Sequence, residues 1–494
     1  MIHVQRALVL FLFFPVLALA AAPLGFDDAR HLLNRTSFAA SIDDINAFSR
    51  LTRAQAVDQL LASTANNTVA TLAPAWSNNF ESPRRLRGMS AEERKVAQRE
   101  QFEKGAELRG WWMQEMLVTQ TPLTEKMVLF WHNHFVSSLQ KVRSPVLMYR
   151  QHLVLRKHAL GYFGDLLHDV SKDAAMVIYL DNASNRKAQP NENFAREVME
   201  LFTLGEGRYG ERDVKEAARA FTGLSVDRET LDYRYRPFFH DGGAKTVFGK
   251  TGRFTAPQVL DLILARPEAA EFVAAKLWKE LVSPTPERAE LARAAAAFRD
   301  ARYEVRPLVR ALLLSDTFWA KDNRGSLIRS PVDLVVGTMR TFDIRPPSLR
   351  PAAFASALLG QNLLAPPNVK GWPGGEEWIN STTLLGRKQF VERLFRSDDR
   401  SAQMLARPMQ ADGTPDGMST KASPPPRQRG MNAQRQMERG LAAYAVNADG
   451  WASVKSEDPQ RLLLPIAAVN PPAEGLAPGD LVRHLVADSA YQLK

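Results

Sequence analysis

A chain of 494 residues, 45% apolar and 24% charged, has globular composition and enough length for one large core or two smaller ones. It contains no cysteine, which excludes disulfides, thiolate zinc or iron–sulfur sites, a thiol nucleophile and lipid attachment at a lipoprotein cysteine. The net charge of +10 is spread along the chain and favours anionic surfaces or polymers, and no nucleic-acid-reading motif accompanies it.

The first twenty residues read as an export signal. Arg6 supplies the positive start, "ALVLFLFFPVLAL" the apolar run, and Ala18-Leu19-Ala20 the cleavage site. The run is shorter than the ~20 residues of a spanning helix, and Pro15 interrupts it. No later segment is apolar for long enough to span, so the mature chain is expected to have no transmembrane segment.

Helical periodicity dominates from there. "AEERKVAQREQFEKGAELRGWWMQEMLVT" predicts one or two long helices, with charge early and an apolar face late. "LTEKMVLFWHNHF" follows, with Thr121 as N-cap and Pro122 at the first helical position. "REVMELFTL", "ERDVKEAARAFTG", "APQVLDLILARPEAAEFVAAKLWKELV" and "RPLVRALLLSDTFWA" continue the pattern. The exception is 232–249, where alternation and Asp241-Gly242-Gly243 predict one β-hairpin. Residues 407–436 lack periodicity and are rich in Pro, Gly and polar residues, as in a disordered insertion. The expected fold class is mainly α, a large multi-helix body with one small hairpin. A helical main domain spans 23–406, and C-terminal helices at 437–494 pack back on it.

The stretch "PNENFAREVMELFTLGEG" carries the densest polar chemistry. At 100° per residue, Phe194, Val198, Leu201 and Phe202 make an apolar stripe. Glu192 and Arg196 fall opposite it as an exposed ion pair. Asn193, Glu197 and Glu200 share a flank, where a partly buried carboxylate could be tuned for acid–base work or hold a hard cation. A structural hydrogen-bonded cluster at a helix crossing gives the same pattern.

In "WHNHF", a continuous helix points His132 and His134 about 200° apart, which disfavours both as ligands of one metal ion. His134 reads better as a hydrogen-bonded core histidine, though one histidine meeting Glu197 or Glu200 stays open. "LDNASN" places Asp181, Asn182 and Asn185 in a loop beside the Asn191 helix; Asx-turn chemistry accounts for them, and they could also line a cleft. "GEGRYG" follows a helix rather than a strand, so it reads as a helix C-cap and not a dinucleotide site. His240 sits at the hairpin turn, and Trp372 and Trp378 in "GWPGGEEW" are candidates for surface contact with a sugar. No G-x-S-x-G elbow occurs.

"EKMVLFWHNHF", "YLDNASNRKAQPNENFAREVMELFTLGEG", "DVKEAARAFTG", "ALLLSDTFW", "PPNVKGWPGG" and the terminal "YQLK" resemble the bacterial domain-of-unknown-function 1800 family over nearly the whole mature chain. The resemblance implies an exported, mostly helical protein. It also implies a gene often lying beside one for the domain-of-unknown-function 1501 family, whose products look sulfatase-like. It supplies no reaction, so no cofactor is named. The expectation is a periplasmic or secreted binding or assembly factor of the envelope, acting with such a partner protein or on an anionic envelope polymer. The alternative is a hydrolase, metal-assisted or not, acting on an envelope or extracellular polymer. Its catalytic groups would be Glu197, Glu200, His134 and Asp181, with Asn182, Asn193, His240, Trp372 and Trp378 binding substrate.

Overall fold

The computed structural model describes residues 22–66, 68–79, 88–227, 229–395, 444, 446, 451 and 458–494. The expected export signal and the 407–436 insertion lie outside the described residues. The chain is mainly α, with two small two-stranded antiparallel sheets.

Local chemistry explains where the helices begin. Ser90 and Glu93 form a capping box at the start of Ala91–Val118, as Thr52 and Gln55 do for Arg53–Ser63 and Ser330 and Asp333 for Pro331–Thr341. Proline occupies the first turn of Pro122–His134, Pro145–Lys157, Pro267–Leu281 and Pro478–Ala487, where its missing N–H costs nothing. Ala91–Val118 is one continuous helix of 28 residues, charged and exposed early and buried or half-buried from Gly105 onward. Thr121 differs from expectation. It stands at the N-cap position of Pro122–His134 but makes no capping bond, and its hydroxyl lies 3.4 Å from that of Thr119.

One apolar core runs from Leu32 to Tyr491 and takes in Trp112, Trp131, Trp278, Phe135 and Phe202. Burial on this scale, at about 25 cal/mol per Å² of apolar surface, is what replaces disulfides in a cysteine-free chain. The helices Pro267–Leu281, Arg288–Asp300 and Val305–Leu313 pack in succession. Helices Pro459–Leu463 and Pro478–Ala487 deliver Leu463, Val482, Leu485 and then Tyr491 to the same core. Among the described residues no helix is long and apolar enough to cross a membrane.

Several of the charges in this core are paired. Lys126 Nζ lies 2.6 Å from Asp333 Oδ1, and Lys494 Nζ lies 2.7 Å from Asp333 Oδ2, all three side chains being buried. Elsewhere Arg156 bridges Glu125 and Glu115. Each ion has lost its hydration, so removing one member strands the rest.

The 232–249 region is β-structured as expected, but its strands belong to two small hairpins that reach beyond it, over 224–235 and 245–252. Strand β1 (Leu224–Val226) pairs with β2 (Tyr233–Tyr235), and β3 (Lys245–Val247) with β4 (Lys250–Gly252). The Asp241-Gly242-Gly243 segment joins the two sheets instead of turning within one. Pro237 opens a 3₁₀ turn after β2, since it has no N–H for a ladder. Asp241 is then held by Arg219, Nε to Oδ2 at 2.7 Å, and accepts from Gly243 N at 2.9 Å.

Candidate functional site

The helix bearing the candidate carboxylates changes pitch. Asn193–Glu197 is α-helical, and Val198–Thr203 widens into a π-helical turn. Leu204 N accordingly reaches back five residues to Met199 O at 2.8 Å. Such turns leave carbonyls without their usual partners and recur at functional sites. Two side chains from other helices take those carbonyls. His134 Nε2 lies 2.9 Å from Phe202 O, and Lys276 Nζ lies 2.9 Å from Leu201 O. Gly205 and Gly207, both at positive φ, end the segment, so "GEGRYG" is a turn after a helix.

Glu197 and Glu200 stand one turn apart at this pitch change. Glu200 Oε2 accepts from the Tyr209 hydroxyl at 2.9 Å. Glu197 is partly buried and has no hydrogen-bond or ion-pair partner among the described residues. Burial raises its pKa above the ordinary carboxylate value, the Glu200 charge adds to that, and Arg196 and Lys370 oppose it. Tyr179 is also raised, by burial and then by the Glu197 charge. A carboxyl that holds its proton more tightly and is not spent on a structural bond can donate or take a proton. Asn193 is committed elsewhere, its Nδ2 donating to Leu180 O at 3.1 Å. Glu192 and Arg196 form the i,i+4 pair at 3.2 Å, and Arg196 also reaches Glu211 at 2.7 Å.

The two histidines diverge as helical spacing requires. His134 donates from Nε2 to Phe202 O, so its Nδ1 is the acceptor facing Lys276 Nζ at 3.4 Å. Burial holds it well below the ordinary imidazole value and the Lys276 charge adds to that; it is neutral. Lys276 is lowered to about 8, first by burial and then by Lys279. His132 instead faces His152, Nε2 to Nδ1 at 3.3 Å, and packs on Trp112. Among the described residues no group of three His, Asp or Glu side chains could hold a metal ion.

The loop ahead of the helix is held by buried amides. Asn185 Nδ2 donates to Asn182 Oδ1 at 2.9 Å and to Ala218 O at 3.0 Å, and Asn185 Oδ1 accepts from Asn191 N at 2.9 Å. Asn182 is fully buried, with Nδ2 3.4 Å from Phe221 O. Asp181 is exposed, in the left-handed region (φ 59°), and pairs with Lys141 at 2.7 Å. His240 Nδ1 lies 3.1 Å from Thr222 O and its ring meets Tyr235 edge-on. The candidate residues therefore serve several separate networks.

The tryptophan loop requires a correction. Trp372 and Trp378 are only 4% and 6% exposed, so neither indole offers a surface to a sugar. Asn133 clamps the loop by accepting from Trp372 N at 2.6 Å. Gly371, at φ 94°, allows the approach, since a Cβ there would lie 2.2 Å from Asn133 Oδ1.

Sequence reasoning also missed a cleft of about 390 Å³ between the asparagine loop and β1–β2. Asn185, Arg186, Ser225, Arg236 and Phe239 line it. These residues come from segments far apart in the chain, so no local motif marked them. A larger groove of about 840 Å³ lies beside Gly25–Thr36, but most of its charges pair with one another, Asp27 with Arg461 at 3.0 Å and Asp28 with Arg324 at 2.7 Å.

A family model described as "Protein of unknown function (DUF1800)" matches residues 31–472. The chain belongs to this family. No curated protein and no solved structure matches it. The span shared with the DUF1800 model takes in the π turn, the asparagine loop, the cleft and the tryptophan loop. Lys494, which reaches Asp333 in the core, lies beyond that span.

Proposed function

We propose that this DUF1800 chain is an exported binding or assembly factor of the bacterial envelope, acting with a partner protein of the domain-of-unknown-function 1501 family. One observation supports binding over catalysis: the polar candidates do not converge. His134 and Lys276 hold the π turn, His132 faces His152, and Asn182 and Asn185 tie down a loop. Side chains committed in this way, nearly all of them buried, hold the scaffold and leave few groups for bond breaking. The test is fractionation of cells expressing the full chain, followed by co-purification with the 1501-family protein from the envelope fraction. Loss of the leader from the mature chain and a stoichiometric complex are expected. A chain retained in the cytoplasm, or one that fails to bind the purified partner, overturns the reading.

The hydrolase reading has one observation in its favour, the partly buried Glu197, without a partner among the described residues and with its raised pKa. It requires turnover of an envelope polymer that Glu197→Gln abolishes while the fold stays intact.

A further inference from the structure

We infer that the cleft between the asparagine loop and β1–β2 binds an acidic saccharide, with Arg186 and Arg236 holding its carboxylate. This deepens the binding-factor reading and rests on it for the source of the ligand.

Two guanidiniums line one small cleft, and neither has a carboxylate partner among the described residues. Most of the neighbouring cations do: Arg196 has Glu211, Arg219 has Asp241, and Arg234 has Asp227. Arg236 is oriented by Ser225, Nε to Oγ at 3.3 Å, and among the described residues its guanidinium makes no other hydrogen bond. Arg186 stacks on Phe239 with its guanidinium carbon 4.2 Å from the ring centroid. Stacking of this kind fixes the plane of the guanidinium while its in-plane N–H groups stay available. Paired planar forks suit an oxyanion with two acceptor oxygens.

The cleft is rigid. Asn185 on its wall is buried and triply bonded, and the backbone at Gly223 approaches so closely that a Cβ would lie 2.8 Å from Arg236 O. Phe238, whose ring meets that of the cleft-lining Phe239 edge-on at 5.5 Å, is 77% exposed with Lys187 Nζ 4.8 Å from its centroid, and Tyr235, next in the chain to the cleft-lining Arg236, is 41% exposed. An exposed aromatic face next to an anion site matches a ligand with a flat apolar ring face and an acidic substituent, as in a uronic acid. The aromatic platform expected at Trp372 and Trp378 is thus supplied by the 235–239 segment.

The test is calorimetric titration of the purified chain with tri-galacturonate, neutral maltotriose and inorganic phosphate. Tri-galacturonate is expected to bind at least about tenfold tighter than either control, and more weakly as salt rises. Arg186→Gln with Arg236→Gln, and separately Phe238→Ala, are each expected to weaken it by about tenfold or more. Arg288→Gln, an exposed change elsewhere, controls for net charge and should change nothing. Arg186 is itself exposed, so Arg186→Gln alone keeps the test valid if the double variant fails to fold. Equal binding of acidic and neutral sugars, phosphate binding as tightly as tri-galacturonate, or no effect of Arg186→Gln would each overturn the inference. Failure here with an intact 1501-family complex leaves the binding-factor reading standing. Sugar binding by a chain that is not exported removes that reading and leaves the cleft assignment.

Discussion

His134 Nε2 lies 2.9 Å from the Phe202 carbonyl, so an imidazole from one helix completes the hydrogen bonding of a π turn in another. His134→Ala leaves that carbonyl buried and bare and opens a cavity. The expected cost is about 2–4 kcal/mol, measured by urea unfolding. His134→Gln, which can still donate, should recover part of the loss. A neutral result for alanine would show that the turn stands without this bond.

The buried imidazoles set the response to acid. His31 is lowered to about 2 and His152 to about 3, and His132 and His134 are also well depressed, burial being the first cause in each. The unfolded chain thus binds more protons below the ordinary imidazole pKa. Stability is fully present above about pH 6.5 and falls below it, by up to about 1.4 kcal/mol per pH unit for each histidine. Asp173 has the opposite sign. Burial raises it to about 7, so its favourable contribution is present below about pH 4 and is lost as pH rises to about 7. Four histidines outweigh one aspartate, and denaturation at pH 7.5 and pH 5.5 should show lower stability at the acid value. Asp173→Asn should steepen that fall.

Asp333 carries two buried ammoniums. Burial alone would raise its pKa, but Lys126 and Lys494 drive it below the usual carboxylate range. Asp333→Asn is expected to cost about 3–5 kcal/mol, because two buried ammoniums lose their nearest counterion at once and keep only Glu280, at 3.6 and 3.4 Å. Lys494→Met should cost less, since Asp333 keeps Lys126. Equal losses in thermal unfolding would contradict this hierarchy.

Asn185→Ala removes the amide that spans Asn182, Ala218 and Asn191. A loss of about 2 kcal/mol is expected, with faster amide hydrogen exchange across 182–191. Unaltered exchange would mean that the flanking helices alone hold this loop.

The fold class was legible because most of its causes are local. Capping residues, first-turn prolines and the 3.6-residue spacing of apolar positions predict helices wherever they occur. The Glu192–Arg196 pair and the divergence of His132 from His134 follow from the same spacing. The π turn was not legible, because its carbonyls are satisfied by His134 and Lys276, distant in the chain. The burial of Trp372 depends in the same way on Asn133, and the arginine cleft on a loop meeting a hairpin. Periodicity predicts what one segment prefers and is silent on which distant side chain alters that preference.

The widened turn at Val198–Thr203 makes residue count a structural property of this helix. Deleting one residue would let the amides find partners four positions back, and all that follows would rotate by about 100°. Tyr209 would swing away from Glu200, and the Leu201 and Phe202 carbonyls would turn back along the axis, out of reach of Lys276 and His134. Relatives that keep this arrangement must keep the same number of residues between Glu197 and Gly205, whatever side chains they place there.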